Sequence, residues 1–134
     1  MDKGRVLLVS DPNPYVRSFL ERELGSAGYQ VKTAGSGKTI FVCLQEVHPD
    51  LLILDLNMPV TIGLGVMARL RKLVPRPPVI VYTDLVEYQQ HEQVRWVSAF
   101  VEKSGSPIPL KRAIEAVLQK KDSNLIHQSK PVEI

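Results

Sequence analysis

A single cysteine, Cys43, stands in a chain of 134 residues, so no internal disulfide can form. No apolar run approaches the ~20 residues needed to cross a bilayer, which excludes a helical membrane protein. Met1-Asp2-Lys3-Gly4-Arg5 passes at once into Val6-Leu7-Leu8-Val9 without a signal-peptide cleavage pattern, and these absences together point to a cytoplasmic location. His48, His91 and His127 lie far apart and share no ligand spacing, so a histidine-held metal is not expected. There are no internal repeats, no low-complexity tracts and no nucleic-acid motif.

Charge of one sign is nearly absent as an excess. Seventeen Lys and Arg against fourteen Asp and Glu leave a net charge of +3. Basic residues gather at Arg69, Arg71, Lys72 and Arg76 and again at Lys103, Lys111, Arg112, Lys120 and Lys121, mostly interleaved with apolar residues on expected helices. They read as solvated helix faces, and no nucleic-acid partner is inferred. The remainder, 44% hydrophobic and 23% charged, is the composition of an ordinary globular domain. A chain of this size buries roughly 68% of its unfolded surface on folding.

Three short apolar runs dominate the pattern: Val6–Val9, Leu51–Leu54 and Val79–Tyr82. Each reads as a strand covered on both faces, as in a parallel sheet. Tyr29–Ala34 and Ala99–Val101 are weaker strands, expected toward the sheet edges. Asn13 followed by Pro14 caps a helix carrying Val16, Phe19, Leu20 and Leu24, with Gly25 and Gly28 at its exit. Ser36 caps a second helix with Ile40, Leu44 and Val47 inward, ended by Pro49. Leu64, Met67, Ala68 and Leu70 mark a third helix, closed by Pro75, Pro77 and Pro78. A polar fourth helix is expected over Glu87–Gln93, the least stable of the set. Ser106-Pro107 opens a last helix with Leu110, Ile114, Val117 and Leu118 inward, and Asp122–Ile134 reads as a polar tail or linker. Gly35-Ser36-Gly37-Lys38-Thr39 mimics a phosphate loop, but the required first glycine is Lys32, so it is read as a capping turn.

Five strands alternating with five helices define a doubly wound α/β domain over residues 1–121. In such a sheet the carboxyl ends of the strands border the ligand crevice. Asp11, Asp55, Thr83 and Lys103 each follow or end one of these strands, so all four meet at that edge. Two neighbouring carboxylates need a cation between them, and hard oxygen ligands suit Mg²⁺. An ammonium and a hydroxyl opposite would hold an anionic oxygen. The set is a receptor for a phosphoryl group.

With Asp55-Leu56-Asn57-Met58-Pro59, Gly63, Thr83 and Lys103 in this order, the chain resembles a receiver domain of the bacterial two-component response regulators over residues ~4 to ~120. The resemblance implies a flavodoxin-like sheet of order 2-1-3-4-5 and phosphorylation of Asp55 by a histidine kinase or phosphotransfer protein. It further implies Mg²⁺ held by Asp11, Asp55 and the Asn57 carbonyl, phosphoryl contacts from Thr83 and Lys103, and Thr83 with Phe100 as the switch pair. Output would pass by protein contact through the Glu87–Gln93 helix, the fifth strand and the last helix, with a homodimer as one form of that contact.

Several positions depart from the family pattern. Ser10 is read as standing where a second acidic residue adjoins Asp11, which weakens Mg²⁺ binding. Asp84 follows Thr83 in place of a small residue and narrows donor access. Leu85 has no polar group to orient a hydrolytic water, Trp96 replaces a glycine, and Ser104 replaces a proline after Lys103. Two alternatives therefore stand beside the phosphorylated switch. One is a receiver-like interaction module that takes no phosphate. The other, a phosphatase with Asp55 as nucleophile, lacks the second aspartate that its mechanism needs two residues on, where Asn57 stands.

Overall fold

The computed structural model describes residues 4–57 and 60–129, with the side chains of 60–62 and 125–129 excepted; Met58 and Pro59 of the Asp55 signature lie outside the described residues. Five strands form one parallel sheet in the order β2-β1-β3-β4-β5, the expected arrangement. They are β1 (Val6–Ser10), β2 (Gln30–Ala34), β3 (Leu51–Leu54), β4 (Val79–Thr83) and β5 (Ala99–Glu102). The three apolar runs are the central strands, and β3 and β4 are buried at every residue. The edge strands β2 and β5 keep much of their surface.

Alternation along each strand divides the core into two layers. Leu7, Val9, Leu51, Ile53, Ile80 and Tyr82 face α1 (Pro14–Ser26) and the last helix, α4 (Ile108–Ser129), where Leu20, Leu24, Leu110, Ile114 and Leu118 meet them. Leu8, Leu52, Leu54, Val79 and Val81 face α2 (Gly37–Val47) and α3 (Val60–Arg71), packing on Ile40, Val66, Met67 and Leu70. This two-sided burial explains why the central strands carry no polar residue until their carboxyl ends.

The helix ends follow local chemistry. Asn13 Oδ1 accepts the Tyr15 amide at 2.9 Å, and Pro14 occupies the first helical position, where no N–H is needed. Ser36 Oγ accepts the Thr39 amide at 3.3 Å while Thr39 Oγ1 accepts the Ser36 amide at 3.2 Å, a capping box that makes the Gly35–Thr39 stretch a helix start. α2 stops at His48, whose φ of 49° lies in the left-handed region.

Two expectations are corrected. No α-helix forms over Glu87–Gln93. A 3₁₀ helix, Val86–Tyr88, is followed by turns up to β5. The backbone bonds there run mainly three residues back: Tyr88 to Leu85, Gln89 to Val86, His91 to Tyr88, Val94 to His91 and Val97 to Val94. Val94 is the one fully buried residue of the segment, too little to hold an amphipathic helix against the sheet. Trp96 anchors it instead, donating Nε1–H to the Gln93 carbonyl at 2.6 Å beneath the Arg76 guanidinium, 4.6 Å from the ring centroid.

The second correction concerns the chain after Lys121. α4 continues through the expected polar tail to Ser129. Ion pairs hold the start of this part: Arg5 pairs with Asp122, and Lys121 lies 3.6 Å from Asp50, which also accepts the Val6 amide at 2.8 Å. Among the described residues no helix is long and apolar enough to cross a membrane.

Candidate functional site

Register and pleat bring the site together. Ser10 is level with Leu54 in the β1–β3 ladder, and the Asp55 amide donates to the Ser10 carbonyl at 3.0 Å. Asp11 and Asp55, the next residues, therefore emerge side by side. Both continue the alternation of the α1/α4 face, as does Lys103 after Ala99 and Val101. The outcome is a three-residue contact: Lys103 Nζ is 2.8 Å from Asp11 Oδ2 and 2.8 Å from Asp55 Oδ2.

The other carboxylate oxygens are held by backbone. Asp11 Oδ1 accepts the Asn13 amide at 2.8 Å, and Asp55 Oδ1 accepts the Asn57 amide at 3.1 Å. Both aspartates are only 2% exposed. Two buried carboxylates in such proximity would repel strongly without the lysine. Burial works against the Lys103 charge, but its hydrogen bonds to Asp11 and Asp55 and their negative charges outweigh that cost, and the ammonium is held above its ordinary pKa of 10.5.

Thr83 ends β4 with the opposite parity, in line with Val79 and Val81. It is fully buried, and its Oγ1 accepts the Leu85 amide at 3.2 Å rather than bonding Asp55 or Lys103. Phe100, level with Val81, packs against the α2/α3 layer. It lines a cleft of about 190 Å³ with Gln89, Gln90, Arg95 and Val97. Thr83 and Phe100 thus share a face of the sheet, whereas the charged triad occupies the other. Asn57 is exposed in the loop beside Asp55.

The structure turns Ser10 away from Asp11. Ser10 is inside β1, paired with Ala34 and Leu54, 2% exposed, and by alternation on the face of Leu8, opposite Asp11. Its Oγ has no hydrogen-bond partner among the described residues. The neighbour of Asp11 in the exposed loop is Pro12, which brings no carboxylate. Asp84 is exposed beside Thr83, as its place after the strand suggests. Among the described residues the cis peptide bond is Val74–Pro75, so the bond between Lys103 and Ser104 is trans.

No cluster of three or more His, Cys, Asp or Glu that could hold a metal occurs among the described residues. Two carboxylates and a loop carbonyl nevertheless fit Mg²⁺, which keeps several waters and takes one or two protein carboxylates. Two further residues shape the site, Gly63 of the sequence signature and Arg17. Gly63 sits where a Cβ would lie 2.7 Å from the Leu56 carbonyl oxygen, so only glycine lets α3 close on the loop after Asp55. Arg17 Nη1 donates to the Asp11 carbonyl at 2.6 Å. Nothing in the sequence marks Arg17.

A parallel five-stranded sheet with a lysine bridging two aspartates at its carboxyl edge defines a doubly wound α/β domain with a charged site at its strand ends. The family model described as response regulator receiver domain matches residues 6–115, and the chain belongs to that family. It is 34% identical over 118 residues to the "Probable transcriptional regulator ycf27" of Porphyra purpurea, covering 87% of this chain and 48% of that protein. It is 25% identical over 132 residues to the Escherichia coli "Regulatory protein AtoC", covering 94% of this chain and 28% of that one. The chain spans about half the length of the first of these relatives. Among solved structures it resembles the Thermotoga maritima response regulator TrrA in complex with Mg²⁺ and BeF, with a TM-score of 0.78, 29% identity, and coverage of 84% of this chain and 98% of that one. It matches the same regulator in complex with the histidine kinase ThkA with a TM-score of 0.77 and 30% identity, over 85% of this chain and 98% of that one.

Proposed function

We propose that this receiver domain is a phosphorylation-dependent signalling switch in which Asp55 accepts a phosphoryl group from a histidine kinase or phosphotransfer partner. The observation that carries the reading is the Lys103 ammonium 2.8 Å from the Asp55 carboxylate, at a buried strand end. An Asp55 oxygen attacks phosphorus in line as the bond to the donor breaks, giving an acyl phosphate. Lys103 neutralises charge that moves onto the transferring oxygens, and its already high proton affinity keeps it charged throughout. Asp11, Asp55 and the Asn57 carbonyl would hold Mg²⁺, which when bound supplies further neutralisation of those oxygens. With Pro12 contributing no third carboxylate, that binding is weak.

Thr83 Oγ1 is engaged by the Leu85 amide in this state. Turning it toward a phosphoryl oxygen frees that amide and vacates space on the Phe100 face, so the Val86–Val97 turns respond first. A bias of about 1.4 kcal/mol shifts such a two-state population tenfold. The signal leaves through those turns, β5 and α4, to a protein partner or a second copy. Beyond phosphotransfer to itself and loss of that phosphate the domain performs no catalysis.

A second reading, a receiver-like module that takes no phosphate, is favoured by exposed Asp84 at the site mouth and by Pro12. The two separate on incubating the cytosolic-type protein with Mg²⁺ and acetyl phosphate, or with beryllofluoride. An adduct lost in Asp55→Ala supports the switch, and no adduct at any Mg²⁺ concentration supports the module.

A further inference from the structure

Arg17 lies at N4 of α1, half-buried, and no carboxylate among the described residues is within ion-pair distance of it. Its acceptor is the backbone carbonyl of Asp11, at 2.6 Å. A charged side chain spent on a carbonyl beside the site calls for an explanation. The second observation is on a different segment. Gly35, at the β2–α2 turn, does not adopt a left-handed φ, so its backbone conformation is open to any residue. What a side chain there would meet is the guanidinium: an added Cβ falls 3.1 Å from Nη1, 3.4 Å from Cζ and 3.6 Å from Nη2. The absent side chain at 35 is the seat for Arg17.

We propose that Arg17, seated over Gly35, is a positioning residue for the phosphotransfer site, fixing the Asp11 backbone so that its carboxylate stays on Lys103. Asp11 is then held at four points. Its amide donates to the Ala34 carbonyl at 3.2 Å, its carbonyl accepts from Arg17, Oδ1 accepts the Asn13 amide, and Oδ2 meets Lys103. Three of these contacts alone leave the peptide after Asp11 free to rotate, because Pro12 has no N–H to tie it down. The Arg17 bond restrains that peptide, and the bond that the Asp11 amide donates to Ala34 fixes the other side. Arg17 thereby links α1, the β1–α1 loop and the β2–α2 turn around one carboxylate.

The inference rests on reading Asp55 as the phosphoacceptor, but its test has an arm that needs no phosphate. Amide hydrogen exchange would be compared in the free wild-type protein, Arg17→Ala, Arg17→Lys, Gly35→Val and the Arg17→Ala/Gly35→Val pair, alongside the rate of beryllofluoride adduct formation with Mg²⁺. In Arg17→Ala and Gly35→Val alike, the latter carrying carbons beyond Cβ into the space the guanidinium fills, exchange at the Asp11 and Asn13 amides rises about tenfold relative to the core amide of Leu52, as expected for losing a hydrogen bond from a charged donor. Adduct formation slows in both, Arg17→Lys recovers part of each effect, and the double variant matches the singles because both remove the same contact. Unchanged Asp11 and Asn13 exchange in Gly35→Val, or additive effects in the pair, overturns the proposal even if Arg17→Ala fails to fold. A wild-type protein without adduct contradicts the phosphoacceptor reading, while the exchange result still decides the role of Arg17.

Discussion

Lys103 Nζ sits 2.8 Å from Asp55 Oδ2 and at the same distance from Asp11 Oδ2, so one ammonium is shared by two carboxylates that are each 2% exposed. The arrangement makes stability and acceptor chemistry depend on the same proton. Lys103 binds it more tightly folded than unfolded, so its stabilisation is complete below pH 10.5 and is lost as pH rises through the higher folded value. Unfolding free energies measured from pH 7 to 12 should show Lys103→Met less stable than wild type at neutral pH, with the gap narrowing above pH 10.5.

A carboxylate added at Ser10 and one added at Pro12 have opposite expected consequences, because Ser10 is buried on the α2/α3 side of β1 and Pro12 is exposed in the loop beside Asp11. Pro12→Asp adds a carboxylate beside Asp11 and should tighten Mg²⁺ binding on the order of tenfold by titration calorimetry. Ser10→Asp instead buries a carboxylate on the α2/α3 side and should destabilise the fold by several kcal/mol without tightening Mg²⁺. Tighter binding in Ser10→Asp would contradict the strand parity.

Gly63→Ala drives a methyl to 2.7 Å from the Leu56 carbonyl oxygen. Because the clash is with backbone, relief requires moving α3 or the Asp55 loop. The expected cost is about 1–3 kcal/mol in denaturant unfolding, with slower adduct formation from the displaced Asn57 amide.

Trp96→Ala removes the ring under Arg76 and the indole bond to Gln93. Amide exchange should rise across the Val86–Val97 turns while β4 amides keep their protection. Uniform loss across the sheet would show that the turns are not an independently responsive unit.

Much of this molecule is legible in its residues. The runs Val6–Val9, Leu51–Leu54 and Val79–Tyr82 need cover on both faces, which leaves them only the middle of a parallel sheet, and the polar residues that end them then share an edge. Asn13 and Ser36 announce helix starts because an extended residue with a side-chain oxygen satisfies amides that nothing else can reach. The failures have equally specific causes. The Glu87–Gln93 pattern is polar enough for a helix surface but offers no inward stripe, so tight turns around Val94 and Trp96 prevail. Asp122 and its neighbours look like a tail because their anchors, Arg5 and Asp50, lie far away in the sequence. Ser10 adjoins Asp11 in the chain yet faces the other layer, a distinction that depends on where β1 ends. The Arg17–Gly35 contact joins two segments whose approach no local pattern encodes.

The most direct test of the switch is mass measurement of the intact protein after incubation with Mg²⁺ and acetyl phosphate, for wild type, Asp55→Ala and Lys103→Met. The account predicts one phosphoryl group on the wild type, none on Asp55→Ala, and formation slowed by about a hundredfold or more in Lys103→Met, the scale of losing one charge-stabilising donor. A wild-type protein that stays unmodified at every Mg²⁺ concentration, or a phosphoryl group retained in Asp55→Ala, would contradict it.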